Sequence, residues 1–145
     1  MTTATSVEGF LGGRQALGVK RNAGPDWEAL IQAGMPVRSV EVLKRSLEIA
    51  DSQLAQLLGI SEKTLSRART AQGRLPPVAS DRLFRVARIA ALAIDVLEDT
   101  PAAMRWLKRP QIGLGGKVPL AMLATDAGRD QVEKLLLRIE HGVYS

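Results

Sequence analysis

The chain has 145 residues, of which 46% are hydrophobic and only 3% aromatic, and 20 basic against 15 acidic side chains give it a net charge of +5. That length suits one compact domain or two small ones sharing a core. There is no cysteine, which excludes disulfides and thiolate metal sites, and no run is long and apolar enough to cross a bilayer. With so few aromatics, Ala, Leu, Ile and Val must build the core. Ala and Leu favour helix, so an all-α protein is expected. The start, MTTATSVEG, has neither the basic beginning nor the apolar stretch of a signal peptide, and a cytoplasmic protein is the simplest expectation.

Residues 1–25 are rich in Gly, Thr and Ala and end in Asn22-Ala23-Gly24-Pro25. They are expected to be partly irregular, with a short helix near Phe10 to Leu17. Asp26 can cap a helix to Ala33, closed by Gly34, with Trp27, Leu30 and Ile31 facing inward. Pro36 can open a further helix to about Ile49, with Val40, Leu43 and Leu47 on one side.

Asp51 to Arg69 read DSQLAQLLGISEKTLSRAR, the spacing of a helix-turn-helix. Two short helices crossing steeply need a small residue where their backbones touch and a residue tolerant of positive φ at the corner. Ala55 and Gly59 stand at those places. Leu54, Leu58, Ile60, Leu65 and Ala68 supply apolar positions that pack the pair onto a third helix. Ser61 is a good N-cap for the second helix, with Glu62 in its first turn. Its exposed face would carry Glu62, Lys63, Thr64, Ser66, Arg67 and Thr70, a polar surface of the kind that reads base edges in a major groove. The competing reading is a helical corner inside an ordinary all-α domain.

Charge favours nucleic acid. Residues 1–60 and 91–145 are each balanced, whereas 61–90 hold Lys63, Arg67, Arg69, Arg74, Arg82, Arg85 and Arg88 against Glu62 and Asp81, which is the whole excess. Arg82, Arg85 and Arg88 share one broad stripe that suits either phosphate or a solvated helix face. For DNA, Lys63, Thr64, Ser66 and Arg67 are expected near base edges, with Ser61 and Arg69 close to phosphates. One such motif reads only a few base pairs, so a homodimer on palindromic operator DNA is expected.

Gly73 and Pro76-Pro77 should break the chain before a long helix from about Ser80 to Glu98. Its second half, Ile89 to Leu97, is apolar on nearly every face except Asp95. It belongs in the core or against a second subunit, and residues 1–35 are the other candidate dimer surface. Thr100 can cap a helix with Pro101 at its first position, running to about Leu107. Gln111 to Pro119, QIGLGGKVP, lacks the G-K-[ST] and preceding strand of a phosphate-binding loop and reads as a turn between two subdomains. A short helix from Leu120 to Ala124 precedes a longer one, capped by Thr125 or Asp126. Val132, Leu135, Leu136 and Ile139 form its apolar stripe, Asp130 and Lys134 pair at i,i+4, and Gly142 forms its C-cap. The ending carries the only His and the only Tyr beside the terminal carboxylate. Either the tail folds back on its own helix, or it plugs a pocket of another protein.

The C-terminal half resembles antitoxins of the Xre/ParS/MbcA family. The resemblance is carried by Trp106-Leu107, Pro110, Leu114-Gly115-Gly116, Pro119-Leu120, Leu123, Thr125, Gly128, Val132, Leu136, Arg138-Ile139 and the ending Glu140-His141-Gly142-Val143-Tyr144-Ser145. With the helix-turn-helix it covers roughly residues 40–145. It implies a Cro/repressor-like helix-turn-helix domain followed by a small helical toxin-binding region. It further implies that the N-terminal part binds operator DNA and promotes dimerisation. The C-terminal part would cover a RES-domain toxin, which resembles ADP-ribosyltransferases and depletes NAD, and the last residues would enter its active-site cleft. The expected organisation is a segment 1–35, a DNA-binding domain 36–109 and a toxin-binding region 110–145. Leu114, Lys117, Arg138, Glu140, His141, Gly142, Val143, Tyr144 and Ser145 are expected against the toxin. A cleft that holds the NAD pyrophosphate needs cations, which a C-terminal carboxylate can meet, while Tyr144 fills an apolar or stacking slot.

The other reading is a stand-alone dimeric repressor whose C-terminal region only dimerises. An enzyme is disfavoured: the only His is near the end, and H-E-x-x-H, G-x-S-x-G and nucleotide-loop motifs are missing. Asp126 and Asp130 are better explained by neighbouring Arg129 and Lys134 than by catalysis. No cofactor or metal is expected.

Overall fold

A computed structural model describes residues 6–20, 24–70 and 73–142 of the chain. The described residues are all-α: α1 (Val7–Phe10), α2 (Gly13–Leu17), α3 (Trp27–Ala33), α4 (Val37–Leu47), α5 (Asp51–Leu58), α6 (Glu62–Thr70), α7 (Pro77–Leu97), α8 (Thr100–Lys108), a 3-10 turn (Ile112–Leu114), α9 (Pro119–Met122) and α10 (Asp126–Glu140). Among them, the only β pairing is two isolated bridges, Pro36 with Arg74 and Gln111 with Lys117.

The centre is α7. Leu83, Val86, Ala87, Ile89, Ala90, Ala91 and Ala93 are buried along it, and α1, α3, α5, α8 and α10 all pack against it. A helix rich in alanine lets neighbours approach closely from several sides, which is how so few aromatics suffice. The apolar second half, Ile89 to Leu97, is thus largely taken up by the chain's own core: Ile89, Ala90, Ala91 and Ala93 are buried and Leu92, Ile94, Val96 and Leu97 half-buried. Trp27 docks α3 on this helix, its ring centroid 4.9 Å from that of Phe84. Trp27, Leu30 and Ile31 pack on the core as expected but remain partly exposed.

Most expected elements are present with shifted ends. The N-terminal helix is two short ones interrupted at Leu11-Gly12, and its Phe10, Leu11, Ala16 and Leu17 are core residues. Val40, Leu43 and Leu47 are the buried face of α4, which stops at Leu47 because Glu48 turns the chain at φ 53°. The long helix begins at Pro77 rather than Ser80, since a proline in the first position lacks only an N–H that would be unpaired there anyway. The cap of α8 is the Asp99 carboxylate, which accepts from Ala102 N at 2.9 Å, not Thr100. The short helix starts one residue early, at Pro119, and ends at Met122. Thr125 is the cap of α10, its hydroxyl accepting from Gly128 N at 3.0 Å.

Among the described residues the two buried polar side chains are both hydrogen-bonded. Ser39 Oγ donates to the Pro36 carbonyl at 2.7 Å, and Ser80 Oγ accepts from Met35 N at 2.7 Å and donates to the Leu75 carbonyl at 3.4 Å. With Leu75 N on the Met35 carbonyl (2.9 Å) and Val37 N on the Gly73 carbonyl (2.6 Å), these bonds stitch the stretch after α6 to the entry of α4.

Candidate nucleic-acid interface and partner-facing turn

The corner between α5 and α6 is built as its residues require. Gly59 sits at φ 70°, Ile60 N donates to the Ala55 carbonyl at 3.0 Å, and Ala55 is buried against the turn. Positive φ disfavours a side chain at Gly59, and its bare Cα lets the flexible Arg82 guanidinium from α7 lie on the corner. Ser61 Oγ accepts from Thr64 N at 3.0 Å and lies 3.0 Å from the Thr64 hydroxyl, so it caps α6 as its sequence position suggests. That cap aims the helix and commits the Ser61 hydroxyl locally.

Leu65 and Ala68 are buried, while Glu62, Lys63, Ser66, Arg67 and Thr70 are exposed on the opposite face and Thr64 is half-buried beside them. Arg67 and Thr64 edge a concavity shared with Arg74 and Pro76.

Arg69 departs from its expected role beside a phosphate. Its Nη1 and Nη2 each donate to an Asp51 carboxylate oxygen at 2.8 Å, and its Nε donates to Glu41 Oε1 at 2.7 Å. Lys44 Nζ stands 3.3 Å from the same Asp51. The corner folds the end of α6 back onto the start of α5 and the flank of α4, and the arginine fork ties all three. This holds the Asp51 carboxyl well below the usual carboxylate range, chiefly through the Arg69 hydrogen bonds, and Arg69 above its ordinary value, chiefly through those to Asp51.

A depressed carboxyl contributes stability that is present above its unfolded value, about pH 4, and is lost as pH falls toward the folded value. Asp51 is 41% exposed, so screening limits the network to about 1 kcal/mol. Asp51→Asn should therefore be less stable at neutral pH by about that amount and show a flatter loss of stability below about pH 4. Urea unfolding across that range checks it, and an acid response identical to the parent's would refute the brace.

The arginine stripe on α7 is neither a simple solvated face nor wholly free for phosphate. Arg82 covers the corner at Gly59. Arg85 lies 3.6 Å from Asp81 and donates to the Leu123 carbonyl at 3.4 Å, reaching the C-terminal region. Arg88 stands over the Phe84 ring, 5.8 Å from its centroid. Arg74 donates to the Gly34 carbonyl at 2.7 Å. Much of the local positive charge thus also secures the helices around the motif.

At the other end, Gln111 to Lys117 close on themselves. Gln111 N donates to the Lys117 carbonyl at 3.0 Å and Gly116 N to the Gln111 carbonyl at 2.9 Å. The Gln111 amide donates to the Trp106 carbonyl at 2.9 Å and binds the turn to the end of α8. Gly113 lies so close to α10 that a Cβ would stand 2.6 Å from a Leu135 methyl.

The expected toxin-facing residues divide. Lys117, Arg138, Glu140, His141 and Gly142 are exposed. Leu114 is largely buried under the turn against the core, with its remaining surface lining a groove beside α10. Val143, Tyr144 and Ser145 lie outside the described residues. Two large apolar residues not singled out in the sequence are also exposed here: Ile112, at 95%, and Leu137, at 38%. A tight turn can bury only one of its two apolar side chains, which was the available signal for Ile112. The acid pair is accounted for by ions: Asp126 with Arg129 at 3.1 Å, and Asp130 with Lys134 at 2.9 Å.

Residues 26–88 match the family model described as the antitoxin Xre-like helix-turn-helix domain, and residues 92–142 match that of the antitoxin Xre/MbcA/ParS C-terminal toxin-binding domain. The chain is 31% identical over 132 residues to an antitoxin Xre of Photorhabdus laumondii, covering 90% of this chain and 89% of that one. It is 33% identical over 116 residues to an antitoxin Xre of Yersinia enterocolitica, covering 79% and 78%. To an antitoxin Xre of Pseudomonas putida it is 46% identical over 63 residues, 43% of this chain and 40% of that one. A helix-turn-helix with a polar exposed face, joined through α7 to a toxin-binding domain, places this chain in the Xre antitoxin family.

Proposed function

We propose that the chain neutralises a RES-domain, NAD-degrading toxin by covering its active-site cleft with the C-terminal region, and represses its own operon by binding a palindromic operator as a homodimer. The observation that carries the reading is the joining of two distinct surfaces on one core: the exposed face of α6, with Lys63, Ser66 and Arg67, and the exposed end of α10, with Arg138, Glu140 and His141. It acts by occupancy and needs no cofactor. The tail would bring a carboxylate and Tyr144 to a cleft shaped for a dinucleotide, as the charge of a pyrophosphate site requires.

The test is co-expression with a RES-domain toxin encoded beside it. Cells should keep their NAD and the two proteins should co-purify. Arg67→Ala should retain that protection while weakening operator binding by roughly 1–3 kcal/mol, with little change on random DNA, if Arg67 reaches a guanine. An equal loss on both DNAs assigns Arg67 to phosphate. A chain that binds its operator but leaves NAD unprotected is a stand-alone repressor, and the toxin reading fails.

A further inference from the structure

The turn and α10 enclose an open groove of ≈ 430 Å³ lined by Gly113, Leu114, Gln131, Lys134, Leu137 and Arg138. Its apolar floor is Leu114 and Leu137. Ile112, the residue before the lining residue Gly113, is 95% exposed. A single exposed apolar residue on a surface is ordinary. This one is held on a turn closed by the Gln111–Lys117 bridge, tied by the Gln111 amide to α8, and pressed by Gly113 onto Leu135. An apolar side chain on so fixed a support loses little conformational freedom on docking, which is the condition for an interface anchor.

The charged residues lining the groove are Lys134, which is paired with Asp130 at 2.9 Å, and Arg138, and exposed Lys117 closes the turn, so the excess charge beside the groove is positive and rests on Arg138 and Lys117. Leu137 precedes the start of the tail, Gly142, by five residues, about 7 Å along a helix. A partner that receives the tail therefore reaches this groove without a second binding event, and the groove lies in the segment matching the toxin-binding family model, residues 92–142.

We infer that Ile112 and the Leu137 groove form a preformed knob and seat that dock the toxin outside its active-site cleft, against an apolar socket rimmed by carboxylates. This rests on the proposed toxin-binding role. The cleft plug and the knob are separate contacts: the first blocks chemistry, and the second supplies residence time and partner choice. Burying one isoleucine is worth about a ten- to hundred-fold change in affinity.

The experiment measures toxin affinity of the full chain, by surface plasmon resonance on catalytically inactive toxin, for the parent, Ile112→Ala, Ile112→Asp and Ile112→Leu. The expected result is a loss of about ten-fold or more for Ala, a larger loss for Asp and near-parental binding for Leu, through faster dissociation. Arg138→Glu should slow association and weaken its salt dependence. Unfolding temperature and operator binding should be unchanged in all four variants, since none of these side chains is buried. If the parent binds and the Ile112 variants bind as tightly, the inference is overturned while the toxin-binding role stands. If the parent itself does not bind, the toxin-binding role fails first. If Ile112→Asp instead changes the oligomeric state of the chain alone and spares toxin affinity, the groove belongs to a second copy and the inference is overturned.

Discussion

Gly128→Ala is expected to lower the unfolding free energy by about 3 kcal/mol, although alanine is the better helix former by about 1 kcal/mol. Gly128 is in the first turn of α10, and a Cβ built there overlaps the Met122 carbonyl oxygen and stands 2.9 Å from the Met122 carbonyl carbon. The obstacle is backbone, so no rotamer change relieves it. Either α9 or the start of α10 must move, and Leu120, Leu123 and Val132, all core residues, move with them. In a chain of this length such a loss lowers the unfolding temperature by roughly 6–12 °C. Thermal unfolding of the purified variant decides the sign. A rise in stability would show that propensity wins and that the close approach of α9 to α10 is not real.

The second large effect concerns the tail. In the proposed complex, a chain ending at His141 should lose toxin neutralisation while binding its operator as before. The helix survives this cut: its described end is held by His141 N on the Leu137 carbonyl at 3.0 Å, and the deletion begins only at Gly142. What is removed is an aromatic anchor, and the terminal carboxylate is drawn back by four residues, out of reach of the cleft. One buried interface anchor and one desolvated charge pair together are worth about 4 kcal/mol or more, roughly a thousandfold in affinity. Growth and NAD content of cells expressing the toxin with the truncated chain give the readout, with an operator shift assay as control. Protection by the truncated chain would mean that the cleft is not where the tail goes.

Features encoded locally were legible in the residues. The corner at Gly59, the Ser61 cap, the Asp26 and Thr125 caps and the apolar stripes of α4 and α10 each depend on neighbours within a turn or two, so spacing alone identifies them. Helix starts at prolines shifted by a few residues, because Pro77 and Pro119 work both as breakers and as first residues. The ion pairs of Arg69 were not legible for a different reason. Its partners Glu41 and Asp51 come together only when three helices pack, and periodicity carries no record of which base meets which acid. The burial of Leu114 and exposure of Ile112 were not legible on the same ground: two apolar residues in one turn cannot be sorted into inside and outside without knowing where α10 runs. The resemblance to a known family supplied the partner, which no residue of the C-terminal helix states by itself.

The central helix runs unbroken from Pro77 to Leu97 through the end of the segment matched as DNA-binding, residues 26–88, and into the start of that matched as toxin-binding, residues 92–142. A rod of 21 residues is about 32 Å long and does not bend at its middle without a break that this one lacks. In the proposed complex the two ends of this rod have no swivel between them. A toxin held at one end would be carried at a set bearing from the operator, and the positions of bound toxins along the duplex would become a property of half-site spacing.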